Sequence, residues 1–248
     1  MKIAARLGHR IILPMPCLVP LIVKEHYPGL LEGLTLKDIR ILLSGGNKKI
    51  VSEIGGLLFT GCGISGPLVL TLSGQAADWL KAGKEVYAEV DLMPALSREE
   101  IEAQLLSVVK SNPRKTTKNM LKTFLPDRFI SVFLDIARIS SGKIASYITQ
   151  EERKKIVSLL KGVRFTIAKA GPIEAAMITR GGISLKEVNP RTMESRLVKN
   201  LYFAGEILDV DADSGGFNLQ AAFSTGYLAG QSSVGSFQKN KEKTLCLW

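Results

Sequence analysis

The stretch NLYFAGEILDVDADSGGFNLQAAFSTGYLAG, Asn200–Gly230, carries the most informative pattern in the sequence. It predicts a short buried strand, Leu201–Ala204, which the acidic residue Glu206 follows almost at once. Because ligands of α/β sheets bind beyond the carboxyl ends of strands, this carboxylate is well sited to accept hydrogen bonds from ligand hydroxyl groups. The glycine pair Gly215-Gly216 then leads into a predicted helix of roughly Asn218–Ala229.

The glycine pair and the helix after it have properties of a ligand site. Glycine lets the backbone approach a planar ligand closely, and a helix start presents N–H groups and partial positive charge. A helix capped by a glycine turn, with Glu206 as a solvated acid, explains the same residues equally well. Asp209, Asp211 and Asp213 alternate in the preceding loop, but their spacing lacks the rest of an EF-hand, so no metal site is predicted.

Outward from this stretch, the chain divides into three regimes of periodicity. Over Leu34–Leu92 apolar residues alternate between glycine turns, which predicts short antiparallel strands in a small sheet or barrel. Over Ser97–Gly162 the apolar period is helical, which predicts a compact helical subdomain. Strand patterns return over Arg164–Thr179, and these strands are expected to join the same barrel. Capping boxes are predicted at Ser97 with Glu100 and at Thr149 with Glu152.

Several segments together resemble one known family. The stretch Asn200–Gly230 resembles the C-terminal signature of the BaiN-like family of FAD-dependent oxidoreductases, also called the aminoacetone oxidase family or NAD(P)/FAD-dependent oxidoreductases. Further segments match in the expected order: AARLGHRIILPMPCLVPL at 4–21, GLLFTGCGISGPLVL at 56–70, the capped helices, and ITRGGISLKEVNPRTMESRLVKN at 178–200. The resemblance thus covers Ala4 to about Gly230.

The resemblance implies an α+β or α/β fold class. The chain would be the remnant of a two-part FAD-binding α/β domain that carries an inserted β-barrel subdomain and a helical subdomain. The expected ranges are 1–23 for the FAD-domain remnant, 24–96 and 163–180 for the barrel, 97–162 for the helices, 181–232 for the C-terminal FAD-domain part and 233–248 for a disordered tail. Family members begin with a strand, a GxGxxG turn and a helix that hold the ADP part of FAD. This chain is expected to start after that segment, as a truncated product or one half of a split protein.

The resemblance also implies the members of a cofactor site. Gly205 and Glu206 would contact the ribityl–pyrophosphate region of FAD. Thr179 and Gly181 would lie on the side of a small-molecule substrate, and no catalytic residue is implied. The isoalloxazine ring would be lined through backbone groups by Gly216, Phe217, Asn218 and Leu219, with Gly215 in the same site. FAD is the expected cofactor, bound incompletely by this chain, with NAD(P)H as a candidate electron donor and the missing N-terminal half or an oligomer partner completing the site.

Gly61–Gly66 matches the GxGxxG pattern literally, which offers an alternative interpretation as a dinucleotide-binding turn. In that interpretation Glu85 would be the acidic residue that binds the ribose hydroxyl groups. Pro67 follows the third glycine, and the apolar run after it is read as only one or two helical turns. The surrounding apolar residues alternate as in an antiparallel sheet, whereas parallel Rossmann strands are continuously apolar. The pattern therefore favours a tight structural turn in the barrel.

Composition and charge limit the remaining classes of function. The cysteines Cys17, Cys62 and Cys246 are far apart, and His9 and His26 are the only histidines, so neither a disulfide framework nor a zinc site is expected. The predicted compartment is the cytoplasm, and no apolar run reaches the roughly 20 residues of a membrane helix. His9 is interpreted as a helix cap or packing residue. The net charge of +10 supports one alternative, a basic nucleic-acid-binding or interaction module without catalytic activity, although the lysines are dispersed along the sequence.

Overall fold

Two units build the part of the chain that the structure describes. The structure is a computed structural model, and it describes the backbone of residues 1–245 and the side chains of residues 1–235. The central unit is Pro20–Ala170, and the terminal unit joins Met1–Val19 to the chain from Gly171 onward.

The strands and helices have the following bounds. The strands are β1 (Ile11–Cys17), β2 (Leu21–Val23), β3 (Thr35–Gly45), β4 (Lys48–Val51), β5 (Gly55–Thr60), β6 (Gly63–Ser65), β7 (Val86–Asp91), β8 (Val163–Ala170) and β9 (Ile178–Ile183). The helices are α1 (Lys2–Arg6), α2 (Tyr27–Leu30), α3 (Pro67–Lys81), α4 (Arg98–Ser111), α5 (Thr117–Leu121), α6 (Asp127–Ala137), α7 (Gln150–Leu160) and α8 (Gly215–Leu245).

A closed six-stranded antiparallel barrel forms the core of the central unit. Its strands follow the order β3, β5, β6, β2, β8 and β7, and β7 pairs back onto β3 to close the sheet. The short strand β4 pairs with β3 as a hairpin arm outside this ring. Inward residues alternate along each strand, as with the buried Val86, Ala88 and Val90 of β7. The predicted antiparallel barrel is therefore confirmed, and Gly61-Cys62 is the turn of its β5–β6 hairpin.

Helix α3 differs from the sequence prediction of a turn or two after Pro67. It runs for 15 residues and contacts every strand of the barrel. Proline at the first helical position suits the helix, because its missing N–H would have no partner there. The apolar run was hard to interpret because a helix buried on most sides lacks a polar stripe. Its buried side chains include Val69, Leu72, Ala76 and Trp79.

The unit boundaries also differ from those expected at residues 24 and 180. Strand β2 pairs with β6 and β8, so the chain joins the barrel at residue 20. Strand β9 pairs with β1 instead of with a barrel strand, which places residues 171–180 in the terminal unit. Both differences arise from pairings between segments far apart in sequence, which local periodicity cannot reveal.

The helices α4 to α7 follow the predicted helical regime closely. In α4, Ser97 Oγ accepts from the Glu100 amide at 3.2 Å, and Glu100 Oε2 accepts from the Ser97 amide at 2.8 Å. In α7, Thr149 and Glu152 make the same reciprocal pair at 3.2 and 2.8 Å. Both predicted capping boxes are present because four residues within one turn determine them.

Glu152 supplies a testable part of the stability of the helical region. Its carboxylate accepts from the Thr149 amide and from Lys143 Nζ at 2.7–2.8 Å, and the Lys143 bond lowers the pKa of Glu152 below its usual value of 4.5. A lowered pKa in the folded state gives stability that is present above pH 4.5 and is lost as the pH falls through the folded pKa. We expect Glu152→Ala to lower the free energy of unfolding by about 0.5–1.5 kcal/mol at neutral pH, the net contribution of a typical hydrogen bond.

Urea unfolding at neutral and acidic pH checks this expectation. The stability difference between wild type and Glu152→Ala should shrink in acid, because both then lack the carboxylate. Glu99→Ala is the control, since this exposed acid occupies the first turn of α4 and takes no part in its capping box. An equal loss in both variants at neutral pH would contradict the assigned role of Glu152.

The terminal unit has a smaller core around β1, β9 and the segment before α8. The predicted strand Leu201–Ala204 is not a strand: Tyr202 makes one isolated bridge to Glu194, and no strand runs beside it within the described residues. Helix α8 begins at Gly215 and continues to Leu245, beyond the predicted end near Ala229. Of the predicted disordered tail, residues 246–248 lie outside the described backbone. The buried residues of this core are Ala4, Ile183, Val188, Met193, Phe203, Leu208 and Ala229.

Candidate functional site

A cavity of about 380 Å³ opens at the start of α8 in the terminal unit. A much smaller one, about 20 Å³, shares three of its lining residues, Glu206, Asn218 and Ala222. The larger cavity is lined by Met177, Ile178, Glu206, Gly215, Gly216, Asn218, Leu219 and Ala222. The smaller cavity is lined by Gly205, Glu206, Leu208, Val210, Asn218, Ala221, Ala222 and Thr225.

Most residues of the predicted cofactor site meet at these cavities. Phe217 does not line either cavity, and its side chain is exposed. Thr179 and Gly181, predicted on the substrate side, also line neither cavity. Glu206, Gly215, Gly216, Asn218 and Leu219 line the larger cavity, and Gly205 lines the smaller one.

Sequence reasoning missed three residues of the larger cavity, Met177, Ile178 and Ala222. The spacing of Asn218, Ala222 and Thr225 repeats every three to four residues, so one helix face was readable from the sequence. Met177 and Ile178 had no such signal, because they reach the cavity through the pairing of β9 with β1.

The glycines of the ITRGG segment are required by the packing of the chain itself. Gly181 has φ +91°, and a Cβ there would lie 2.6 Å from the carbonyl oxygen of Leu13. Gly182 has φ +137°, and its Cβ would lie 2.4 Å from the carbonyl oxygen of Ile207. These glycines therefore let β9 pack against neighbouring backbone, which is a sufficient structural role for them.

Gly215 and Gly216 have no comparable structural requirement. Neither has a positive φ. A Cβ on Gly215 would meet only Met177 Cε at 3.7 Å, and one on Gly216 would meet only Ser214 Oγ at 3.9 Å. Glycine is also among the poorest helix formers, so the pair weakens the start of α8. The packing of the described residues thus leaves unexplained why two glycines open this helix.

The start of α8 is held in place by the side chain of Asn218. Its Oδ1 accepts from the Ala212 amide at 3.1 Å, and its Nδ2 donates to the carbonyl oxygens of Ala212 and Ser214 at 2.9 and 2.7 Å. This buried carboxamide fixes the loop before the helix. The amides of Gly215–Phe217 cannot bond within the helix, so this end carries partial positive charge beside the cavity.

A second hydrogen bond ties the Glu206 turn to α8. The Gly205 amide donates to Thr225 Oγ1 at 3.0 Å, and Thr225 Oγ1 donates to the Ala221 carbonyl oxygen at 2.7 Å. Gly205 has φ +75°, so glycine suits the start of this short 3-10 turn, Gly205–Ile207. Glu206 is exposed and lines both cavities, which leaves its carboxylate able to accept hydrogen bonds there.

A Ser–His–Glu cluster, in which the serine and histidine are buried and the glutamate is half-buried, lies elsewhere in the terminal unit. His9 Nε2 is 3.0 Å from Ser195 Oγ, and His9 Nδ1 is 3.3 Å from Glu187 Oε2. Ser195 Oγ also accepts from the amides of Leu197 and Val198, so its lone pairs are engaged. None of the three residues lines either cavity, which argues against a nucleophilic serine. The cluster holds the 195–198 turn onto the core, in line with the packing interpretation of His9.

Thiol and metal chemistry find little support among the described residues. Burial raises the pKa of the Cys17 thiol, which keeps it protonated and unreactive. Cys62 is exposed in the barrel hairpin, and Cys246 lies outside the described residues. The described side chains contain no group of three or more His, Cys, Asp or Glu residues placed to hold a metal ion. In the same part of the chain, no helix is both long enough and apolar enough to cross a membrane.

Comparison with known proteins gives a family match over most of the chain. The family model described as "HI0933-like protein barrel and H2TH domain" matches residues 15–178. The chain is 30% identical over 232 residues to the 3-dehydro-bile acid delta(4,6)-reductase of Clostridium scindens, which covers 94% of this chain and 56% of that protein.

Two further relatives carry a different name. The chain is 31% identical over 228 residues to the ribosomal RNA dihydrouridine synthase of Haemophilus influenzae, covering 91% of this chain and 53% of the relative. It is 28% identical over 235 residues to the protein of the same name from Escherichia coli, covering 94% and 55%. The chain therefore spans about half the length of the curated relatives it matches.

Proposed function

Because the chain belongs to the HI0933-like family, we propose that it is the flavin-binding C-terminal portion of an FAD-dependent oxidoreductase. The predicted BaiN-like resemblance is confirmed at the level of the family. The observation that carries the proposal is the glycine pair Gly215-Gly216, which the packing of the chain does not require and which opens onto the cavity. A planar ligand that must approach the backbone closely accounts for both glycines.

The described cavity suits the ring end of a flavin. Ligand pockets commonly enclose about 300–1,000 Å³ and combine apolar walls with a few polar groups. Here Met177, Ile178 and Leu219 supply apolar atoms, the α8 start supplies amides, and Glu206 supplies an acceptor. A Cβ at Gly216 would enter open space beside the cavity, as expected where a ligand replaces a side chain.

Each lining group has a definite task in the proposed site. When bound, the flavin supplies the hydride or electron transfer. The amides of α8 would stabilise negative charge on the pyrimidine edge of the ring. The carboxylate of Glu206 would accept hydrogen bonds from ribityl hydroxyl groups. Met177, Ile178 and Leu219 would keep water from the ring.

The proposal extends to the remaining parts of the reaction. We propose a small organic molecule as the substrate and keep NAD(P)H as the candidate electron donor to be tested. The named activities of the relatives concern a bile acid in one case and ribosomal RNA in two. Anaerobic bleaching of the flavin by NADPH or NADH, without added substrate, would identify the donor.

A partner segment completes the proposed cofactor site. Helix α8 exposes Leu219, Phe223 and Tyr227 at four-residue intervals, each about 60–70% accessible to solvent. Such an apolar stripe on a helix face indicates an interface. Because the matched relatives are about twice as long as the aligned region, we propose that a dinucleotide-binding segment outside this chain covers the stripe and holds the adenosine half of FAD.

Substitution of Gly216 tests the flavin site. Gly216→Val should weaken binding of riboflavin by about tenfold or more, because a branched side chain would fill the space that the ring needs. Folding should be unaffected, since the nearest atom to a Cβ is Ser214 Oγ at 3.9 Å. Quenching of flavin fluorescence on titration measures the affinity, and the thermal unfolding midpoint measures the stability.

Two variants separate the roles around this site. Gly216→Ala should keep or slightly raise the unfolding midpoint, because alanine favours helix, and should still weaken flavin binding. Glu206→Ala should weaken binding by roughly 1–3 kcal/mol through a lost hydrogen bond to a charged acceptor. Unchanged flavin affinity in a folded Gly216→Val protein would refute the proposed site.

A further inference from the structure

We propose that the helical region of the central unit carries an RNA-binding surface, formed by two loops that the fold joins. The surface, here named the basic loop pair, consists of residues 110–118, which run from the end of α4 into the start of α5, and residues 138–143, which follow α6. All of its residues belong to the central unit, so the inference does not depend on the proposed flavin site.

Positive charge is concentrated in this region of the molecule. Residues 97–162 contain 13 Lys and Arg residues against 7 Asp and Glu residues, a net +6 out of the +10 of the whole chain. The basic loop pair contains no acidic residue at all. Its cations are Lys110, Arg114, Lys115, Lys118, Arg138 and Lys143.

Backbone hydrogen bonds hold the two loops side by side. The Thr117 amide donates to the Lys143 carbonyl oxygen at 2.7 Å, and the Lys118 amide donates to that of Ser141 at 3.2 Å. The Ala145 amide donates to the Lys115 carbonyl oxygen at 2.8 Å. Two segments separated by the rest of α5 and by α6 thus form one surface, so their charges add in one place.

Most of these cations are available to a partner. Lys143 is bound to Glu152 at 2.7 Å. The other five are exposed, and none of them forms an ion pair within the described residues. Clustered, unneutralised cations repel one another and favour a polyanionic partner that releases bound counterions.

Arg138 occupies a position where arginine is unfavourable for folding. It ends α6 in the left-handed conformation, with φ 56° and ψ 46°, where glycine or asparagine is usual. Its side chain is exposed and forms no ion pair within the described residues. The positive charge of Arg138 is therefore present at a position where the backbone conformation favours glycine or asparagine.

The chemistry of the surface favours RNA over other polyanions. Ser140 and Ser141 are exposed beside the cations and can bond phosphate oxygens or 2′-hydroxyl groups. Tyr147, just beyond the second loop, has 73% of its surface exposed and offers a ring for stacking an unpaired base. DNA is a poorer fit, because the surface is built mainly from loops and offers no long helix to enter the major groove. A membrane is also a poorer fit, because the surface lacks exposed aliphatic residues for insertion into lipid.

Binding of a fluorescein-labelled RNA hairpin with an unpaired loop tests the proposal on the full chain. Fluorescence anisotropy should show binding that weakens steeply between about 50 and 200 mM salt. The double variant Arg114→Ala/Lys115→Ala should bind about tenfold more weakly, with a salt slope smaller by about 0.7–0.9 for each lost phosphate contact. Lys48→Ala/Lys49→Ala removes the same charge from the exposed β4 arm and should change the affinity less than about twofold.

Arg138→Gly separates binding from folding. This variant removes a cation and relieves the left-handed backbone, so the RNA affinity should fall about threefold while the unfolding midpoint stays the same or rises. Equal losses in the loop and control variants would overturn the proposal, as would the absence of RNA binding. A DNA hairpin of the same sequence that binds as tightly would overturn the assignment to RNA. Binding to phosphatidylserine vesicles in preference to RNA would replace it with a membrane surface.

Discussion

Gly63→Ala should lower the free energy of unfolding of the central unit by about 3 kcal/mol or more. A Cβ at this position would lie 2.1 Å from the Leu21 carbonyl oxygen and 3.0 Å from Ile22 Cα. Both atoms belong to the backbone of β2, which pairs with β6 at this point. The clash cannot be relieved by a side-chain rotation, so the strand pairing that closes the barrel must separate.

Gly61→Ala is the matched control for this expectation. Its Cβ would meet only the end of the Glu32 side chain, with Oε2 at 3.3 Å, and that carboxylate can move. We expect a change of less than about 1 kcal/mol. Urea unfolding followed by circular dichroism measures both variants, and similar unfolding midpoints for Gly63→Ala and wild type would contradict the packing described here.

The same experiment separates the two interpretations of the GCGISG segment. Gly66 has φ +92°, and a Cβ there would lie 2.9 Å from the Leu58 amide nitrogen, so it too is required by the barrel. If the segment bound a dinucleotide, its glycines would allow a ligand to approach the backbone, and their substitution would reduce nucleotide binding more than stability. The contacts of Gly63 and Gly66 instead predict that their substitution lowers the free energy of unfolding, as expected for a structural turn.

The second large effect concerns cofactor selectivity: this chain alone should bind FAD weakly and no better than riboflavin. The proposed contacts of Glu206 and the Gly215–Asn218 turn are all with the ring and ribityl portions. Within the described residues, no parallel strand, glycine turn and helix form a seat for the pyrophosphate and adenosine. The two dissociation constants should therefore agree within about threefold, a difference below 1 kcal/mol.

Calorimetric titration of the chain with FAD and with riboflavin measures this selectivity. Three charge-assisted hydrogen bonds to a pyrophosphate, at about 1.5–3 kcal/mol each, would favour FAD by roughly three orders of magnitude or more. Submicromolar, stoichiometric binding of FAD alone would show that this chain holds the adenosine half. It would also refute the proposed partner segment, while leaving the ring site itself open to the Gly216 test.

Much of the fold was predictable where neighbouring residues determine it. The capping boxes at Ser97 and Thr149 depend on four successive residues, and the alternation of β7 follows from a sheet with one buried face. Helix α3 was missed because its surroundings are apolar on most sides, which removes the periodic signal. The predicted strand Leu201–Ala204 failed for the opposite reason: a buried apolar run becomes a strand only when another strand lies beside it.

The sequence by itself determined the capped helices, the alternating barrel strands and the glycine-led start of α8, because each depends on contacts within a few residues. Only the tertiary structure decided that β9 pairs with β1 and brings Met177 and Ile178 to the cavity. It alone joined residues 110–118 to 138–143 into one basic surface. The physical reason is that burial and electrostatic interaction depend on the distance between residues in space and not on their separation in the sequence. Which distant segments pair depends on all the contacts that they can make in the folded chain.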